Sequence, residues 1–253
     1  MRIVVCIKRV PEATEALLRI DPSGKRLQED NLTFGMNETD SYALEEALLV
    51  KERLGGSVTL LNVGPEAAEE VLRMGLAKGA DEALRIAPVG VEEADPALVA
   101  HLLAAEIRPM APELILTGCM ASDDGSALVG VYLAELLGVP HLSLVVAMEV
   151  GPTGEVTARR ELEGGVLEEY QVQLPAVFTI QSGINTPRYA SILGIRRAAT
   201  KPLKVVAPQA GEKTLEVRQL AFPPAGKKAE ILQGSPAEVA EQLTSLLRSR
   251  ALL

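Results

Sequence analysis

The first half of the chain alternates extended and helical patterns joined by short connections, and that alternation leaves few folds open. Residues 2–8 form an apolar, β-branched run, and similar runs recur at 57–63, 82–86 and 113–118. Between them apolar residues repeat at helical spacing, which predicts helices from Asp40 or Ser41 to Leu54 and over 65–78, 95–107 and 125–137. Asp40 is placed to cap the first, Gly55-Gly56 ends it, and Gly79 and Gly138 close two others. Strands alternating with helices in this way predict an α/β fold, a parallel sheet flanked by helices on both faces. In such sheets a ligand lies beyond the carboxyl ends of the strands, where the strand order reverses. The loops available there are 8–11, 64–65 and 118–125, joined by Met36–Asp40.

From about Leu142 the pattern changes. Residues 156–162 and 166–174 interleave polar and apolar side chains around Gly164-Gly165, a pair that tolerates the positive φ of a hairpin. Pro175 ends that ladder, and Ala176–Ile180 is short and apolar enough for a buried strand. Glu163, Glu168 and Glu169 are read as solvated hairpin charges. After Pro187 come a basic segment (Arg188, Arg196, Arg197, Lys201, Lys204) and a Pro-rich stretch. Ser235-Pro236-Ala237-Glu238 then has the form of a capping box opening a last helix, with Val239, Leu243, Leu246 and Leu247 on one stripe. The expected division is an α/β domain with its hairpin region over 1–187, and a loop and C-terminal arm over 188–253.

Composition removes several functions. A net charge of −9 and 3% aromatic residues without Trp argue against nucleic acid. His101 and His141 stand alone, and two cysteines build neither a disulfide framework nor a zinc site, so no metal and no catalytic triad are expected. No apolar run approaches the ~20 residues of a membrane span, so no membrane insertion is expected. The start, MRIVVCIKR, reads as a strand rather than a targeting segment, and the expected location is cytoplasmic.

The segment Gly118-Cys119-Met120-Ala121-Ser122-Asp123-Asp124-Gly125-Ser126 follows a buried strand and precedes a helical pattern. Small residues there let backbone N–H groups approach a phosphate, and a helix N-terminus adds partial positive charge. Asp123 and Asp124 oppose a phosphate, so they are assigned to capping the helix or to ribose hydroxyls. A nucleotide loop and a plain helix cap are both open on these residues. Cys6 and Cys119 end two strands and are read as packed thiols in preference to a redox pair.

Residues 158–179, ARRELEGGVLEEYQVQLPAVFT, resemble a signature of electron transfer flavoprotein beta subunits. Arg160, Glu163, Gly164, Gly165, Glu168, Pro175, Val177 and Thr179 fill the pattern, while Tyr170 and Phe178 replace aliphatic residues. Residues 184–195, INTPRYASILGI, are similar to the partner-docking loop of that family, and VVCIKRVPE and MNETDSYALEEAL also match family segments. The resemblance implies a Rossmann-like, adenine-nucleotide-binding sheet and a heterodimer with an electron transfer flavoprotein alpha subunit. That alpha subunit holds most of the FAD site, which this chain completes, and the terminal helix packs on it.

The resemblance also implies a structural AMP along Cys6, Asn37, Glu38, Thr39, Asp40, Val63 and the loop Gly118 to Ser126, continuing through Ala127, Leu128 and Val129. Leu128 stands where many relatives carry Gln. Docking falls to Arg188, Tyr189, Ile192 and Leu193. The implied role is electron carriage without catalytic residues, from acyl-CoA and related dehydrogenases of fatty acid oxidation to a membrane quinone reductase. The alternatives are an electron-bifurcating beta subunit with FAD in place of AMP and NADH as donor, an ATP-cleaving transferase, and a stand-alone nucleotide-binding stress-type module. A transferase would want a phosphate loop where Lys8-Arg9-Val10-Pro11 stands.

Overall fold

The computed structural model describes residues 1–12, 18–87, 95–208, 214–224, 229 and 231–253. Its centre is a sheet that takes strands β1 (Arg2–Cys6), β4 (Ser57–Val63), β5 (Glu82–Ile86), β6 (Leu114–Gly118), β7 (His141–Val150), β8 (Glu155–Glu161), β9 (Leu167–Gln173), β10 (Ala176–Ile180) and β11 (Leu203–Val206). A separate small ribbon pairs β2 (Arg9–Pro11) with β3 (Phe34–Met36). The order across the main sheet is β11-β5-β4-β1-β6-β10-β7-β8-β9, with every pairing parallel except β7–β8 and β8–β9, which are antiparallel. The α/β class read from the alternation is the class observed.

The first strands are apolar without interruption because both faces of the sheet are covered. Ile3, Val5 and Ile7 belong to a core shared with α1 (Glu38–Leu54) and α2 (Glu69–Lys78). Val4 and Cys6 point to the opposite core, shared with α3 (Pro96–Met110) and α4 (Val129–Leu137). Alternation of side chains along each strand feeds both layers. Asp95, expected as the first residue of α3, is its N-cap and accepts from the backbone N–H groups of Ala97 and Leu98.

The hairpin region extends this sheet. Leu162 N–H donates to Val166 O at 2.8 Å, and Gly164 and Gly165 both adopt positive φ (77° and 74°) inside the loop. Two of the three charges read as solvated are also cross-strand partners: Arg159 faces Glu169 and Arg160 faces Glu168 in register, each closing an ion pair at 2.7 Å, while Glu163 is exposed in the loop. Such directly opposed pairs contribute ~0.2–1 kcal/mol each. The strand β10 leaves the hairpin and inserts between β6 and β7, where Phe178 is fully buried.

Two compact units are present, Met1–Gln219 and Leu220–Leu253. The division therefore falls later than the expected 187/188, for a physical reason. Residues beyond 188 form α5 (Ile192–Ala198), packed on α2, and β11, which adds to the sheet edge beside β5. In the second unit Ser235 and Glu238 close the capping box of α6 (Pro236–Ser249), none of whose residues is buried.

Candidate functional site

The chain reverses direction in the sheet at β1, which has β4 on one side and β6 on the other. Beyond the carboxyl ends of these strands lies an open cleft of about 750 Å³, solvent at its mouth included. Of the residues expected along a nucleotide, Cys6, Asn37, Asp40, Val63, Gly118, Cys119, Met120, Ala121, Asp124, Ser126, Ala127, Leu128 and Val129 line it. Glu38, Thr39, Ser122, Asp123 and Gly125 are not among its lining residues.

The cleft floor is built by the start of α1. That helix begins at Glu38 after Asn37, three residues ahead of the expected cap, and Asp40 lies inside its first turn. Asp40 does not cap the helix. Its Oδ2 accepts from Lys8 N–H at 2.7 Å and its Oδ1 from Gly118 N–H at 2.9 Å. One carboxylate thus joins the ends of β1 and β6, two strands whose backbone donors run out where the ladder stops. Burial pushes the Asp40 carboxyl up to about 7, while the donors from Lys8, Asn37 and Gly118 hold it from rising further.

Asn37 fastens the next stretch of loop. Its Nδ2 donates to Met120 O at 3.0 Å and its Oδ1 accepts from Ser122 N–H at 3.2 Å. Thr39 Oγ1 also donates to Met120 O, at 2.8 Å. Thr39 and Ser122 therefore shape the cleft from behind its wall. Gly118 is needed because a Cβ there would collide with Asp40 Oδ1 and Thr39 Oγ1.

At the mouth one lysine is shared by two carboxylates. Lys8 Nζ donates to Asp123 at 2.6 Å and to Asp124 at 2.7 Å. Asp124 Oδ1 also accepts from Ser126 N–H at 2.8 Å. Capping of α4 by Asp123 or Asp124 is overturned, because both carboxylates turn to Lys8. The helix starts at Val129, four residues later than expected, since Gly125 and Ala127 hold positive φ (63° and 54°) and interrupt helical winding. Leu128 occupies its N-cap without a side-chain hydrogen bond, leaving the first N–H groups of α4 uncapped.

Sequence reasoning missed part of this site. Lys8 lay in a loop flagged for the pocket, yet its pairing with residues more than a hundred positions away left no local signal. Asn62 was legible in principle: it is the one amide in the run 57–63, and it is buried with Nδ2 donating to Ile7 O at 2.9 Å. On α3, Pro96, Val99 and Leu103 form a wall at helical spacing. The thiols of Cys6 and Cys119 are both raised, by burial first and by Asp40 second, which keeps them protonated.

The four residues expected to dock a partner lie outside the cleft lining. Tyr189 is 98% exposed, Ile192 76% and Leu193 55%. The aliphatic pair opens α5 rather than riding on a loop, with Ser191 Oγ accepting from Gly194 N–H at 3.0 Å. Arg188 differs from its neighbours, since its guanidinium is held by Glu45 and Glu52.

Among the described residues no group of three or more His, Cys, Asp or Glu is arranged to hold a metal ion. Among the described residues no helix is long and apolar enough to cross a membrane.

A family model described as the electron transfer flavoprotein domain matches residues 26–210. The chain is 35% identical over 260 residues to the electron transfer flavoprotein subunit beta of Methylophilus methylotrophus, covering 98% of each. It is 36% identical over 259 residues to the subunit of the same name from Bacillus subtilis, covering 99% of each. Subunit CarD of the caffeyl-CoA reductase-Etf complex of Acetobacterium woodii is 32% identical over 266 residues and covered end to end.

Proposed function

Since this chain belongs to the electron transfer flavoprotein family, aligning end to end with its beta subunits, we propose that it is the beta half of a heterodimeric electron carrier that keeps a structural AMP in the cleft. One observation carries the nucleotide reading: the uncapped N-terminus of α4 opens into a cleft at the strand reversal. Unpaired N–H groups and the helix dipole favour an anion there. Lys8 is bound to both carboxylates at the mouth and offsets one of their two charges.

In this reading the beta chain supplies architecture and recognition, and no catalytic residue of its own. Asn37 and Asp40 hold the loop Gly118–Ser122, and that loop with the start of α4 receives the nucleotide. FAD, shared with an alpha subunit, supplies the redox chemistry when bound. The amphipathic α6 packs on that alpha subunit. Tyr189, Ile192 and Leu193 meet an acyl-CoA dehydrogenase, and electrons leave for a membrane quinone reductase; the location is cytoplasmic.

Co-expression with an alpha subunit, followed by nucleotide extraction, tests the proposal. One FAD and one AMP per heterodimer are expected. Two FAD without AMP, together with reduction by NADH, would replace it with the bifurcating reading.

A further inference from the structure

Glu45 is a charged residue in an unfavourable place: on α1, with its side chain only 6% exposed. Removing a carboxylate from water requires close compensation. Arg188 provides the hydrogen bonds, and Lys78 adds a second positive charge nearby. Arg188 Nε lies 3.0 and 2.9 Å from the two Glu45 oxygens, its second guanidinium nitrogen 2.8 Å from Oε1, and its backbone N–H donates to Oε2 at 3.0 Å. One carboxylate therefore fixes both the main chain and the side chain at position 188. Glu52, two turns further along α1, takes the outer edge of the same guanidinium at 2.5 Å.

The anchoring continues on both sides. Asn185 Nδ2 donates to Glu46 Oε2 at 3.0 Å and to Tyr42 O at 3.1 Å. Downstream, an Arg73 guanidinium nitrogen from α2 donates to Ala198 O and Lys201 O at 2.7 and 2.8 Å. Gly194 sits so close to Ala77 O that a Cβ would collide with it. Between these anchors the chain turns large apolar groups outward, with Tyr189, Ile192 and Leu193 all exposed.

We propose that Glu45 and Arg188 are positioning residues for docking, a buried carboxylate–guanidinium clamp that fixes the exposed segment 189–195 before a partner arrives. Arg188 then contributes through Glu45 and not by touching the partner, because each of its guanidinium nitrogens already donates to Glu45 or Glu52. The inference rests on the reading of this segment as the dehydrogenase contact. Its physical content is preorganisation: a segment already fixed loses less conformational freedom on binding, so affinity rises without any new contact.

The test uses the purified heterodimer, with an acyl-CoA dehydrogenase reduced by its own acyl-CoA as the probe. Arg188→Lys keeps the charge and loses the planar fork, and Glu45→Gln keeps the shape and loses the charge. Each should raise the KM for the dehydrogenase pair about ten-fold while leaving kcat at saturation within about two-fold, as expected of lost preorganisation. Amides 189–195 of the unbound heterodimer should exchange faster with deuterium. In a double-mutant cycle, Ile192→Ala should weaken docking less in the Glu45→Gln background than in the native chain.

Unchanged KM and unchanged exchange in Arg188→Lys would overturn the clamp, even if thermal stability fell. If Glu45→Gln does not accumulate as a folded heterodimer, Arg188→Lys alone decides. Should Ile192→Ala and Leu193→Ala both leave KM unaltered, the docking reading itself fails. Should they raise KM while the clamp variants do not, only the clamp fails.

Discussion

The cleft and the stretch from Asn185 to Arg188 are fastened to the same helix by opposite chemistry. In the first turn of α1, Asn37 and Asp40 reach backbone N–H groups of the cleft, a set of buried bonds that needs no counterion. In the second turn Glu45 begins a set of ion pairs with one arginine. Asp40 and Glu45 are five residues apart, about 7.5 Å along the helix axis. The first arrangement draws a loop inward around a cavity, and the second holds apolar side chains out in water. A single rigid helix can thus serve two recognition tasks, provided that each uses bonds of a different kind.

The comparison is broken most directly at Gly118. Gly118→Ala sets a methyl against Asp40 and Thr39, and overpacking of this kind costs ~1–3 kcal/mol. Nucleotide retained after gel filtration should fall at least ten-fold, while the exposed segment keeps its docking strength. Equal loss of both would show that the two regions are not independent.

Ile192→Ala acts on the other side. A buried aliphatic side chain contributes ~1.5–3 kcal/mol, so truncation should weaken dehydrogenase docking by about ten-fold or more. Thermal stability should stay within about 0.5 kcal/mol of the native value, because the side chain is already 76% exposed. A destabilised variant that docks normally would remove the segment from the recognition surface.

Acid and base separate the regions further. Asp40 ionises at about 7 in the native chain, against ~3.9 in an unfolded one. Between these values the native state keeps a proton that the unfolded state has released. Its contribution to stability is therefore complete below about pH 4 and is lost as pH rises through 7. The thermal midpoint should fall as pH rises from about 4 to 7 and level off above that, and Asp40→Asn should flatten the decline. The same slope in the variant would assign it to other groups.

The smallest effect is expected at the mouth of the cleft. Lys8→Met leaves Asp123 and Asp124 without their shared cation, but these groups are partly exposed and screened. Nucleotide affinity should drop a few-fold, with the deficit shrinking as salt is raised. A deficit that does not respond to salt would point to misfolding of the loop.

How much of this was legible follows from where the signals reside. The strand runs at 2–8, 57–63 and 82–86 announced themselves because burial on both faces demands continuous apolar sequence. The position of the cleft followed from that topology alone. The start of α1 was misjudged because Asp40 has the composition of a cap while its bonds run to Lys8 and Gly118, across 32 and 78 positions. The start of α4 was misjudged because positive φ at Ala127 has no residue-type signature, unlike the same geometry at Gly125. Nothing local announced that Ile192 and Leu193 would be exposed, since an aliphatic pair reads equally as core. Only the family resemblance set them apart.

The insertion of β10 between β6 and β7 sets an order of events for a chain emerging from the ribosome. Strand β6 is complete at residue 118, and the β7–β8–β9 ladder at 173, yet neither borders the other in the finished sheet. Each must wait with an open edge until residues 176–180 are made and fill the seam between them. Open edges of this kind are templates for pairing with other chains. The interval between these two points of synthesis is when the growing protein is most exposed to aggregation. Phe178, buried without remainder at the centre of the seam, ends that interval.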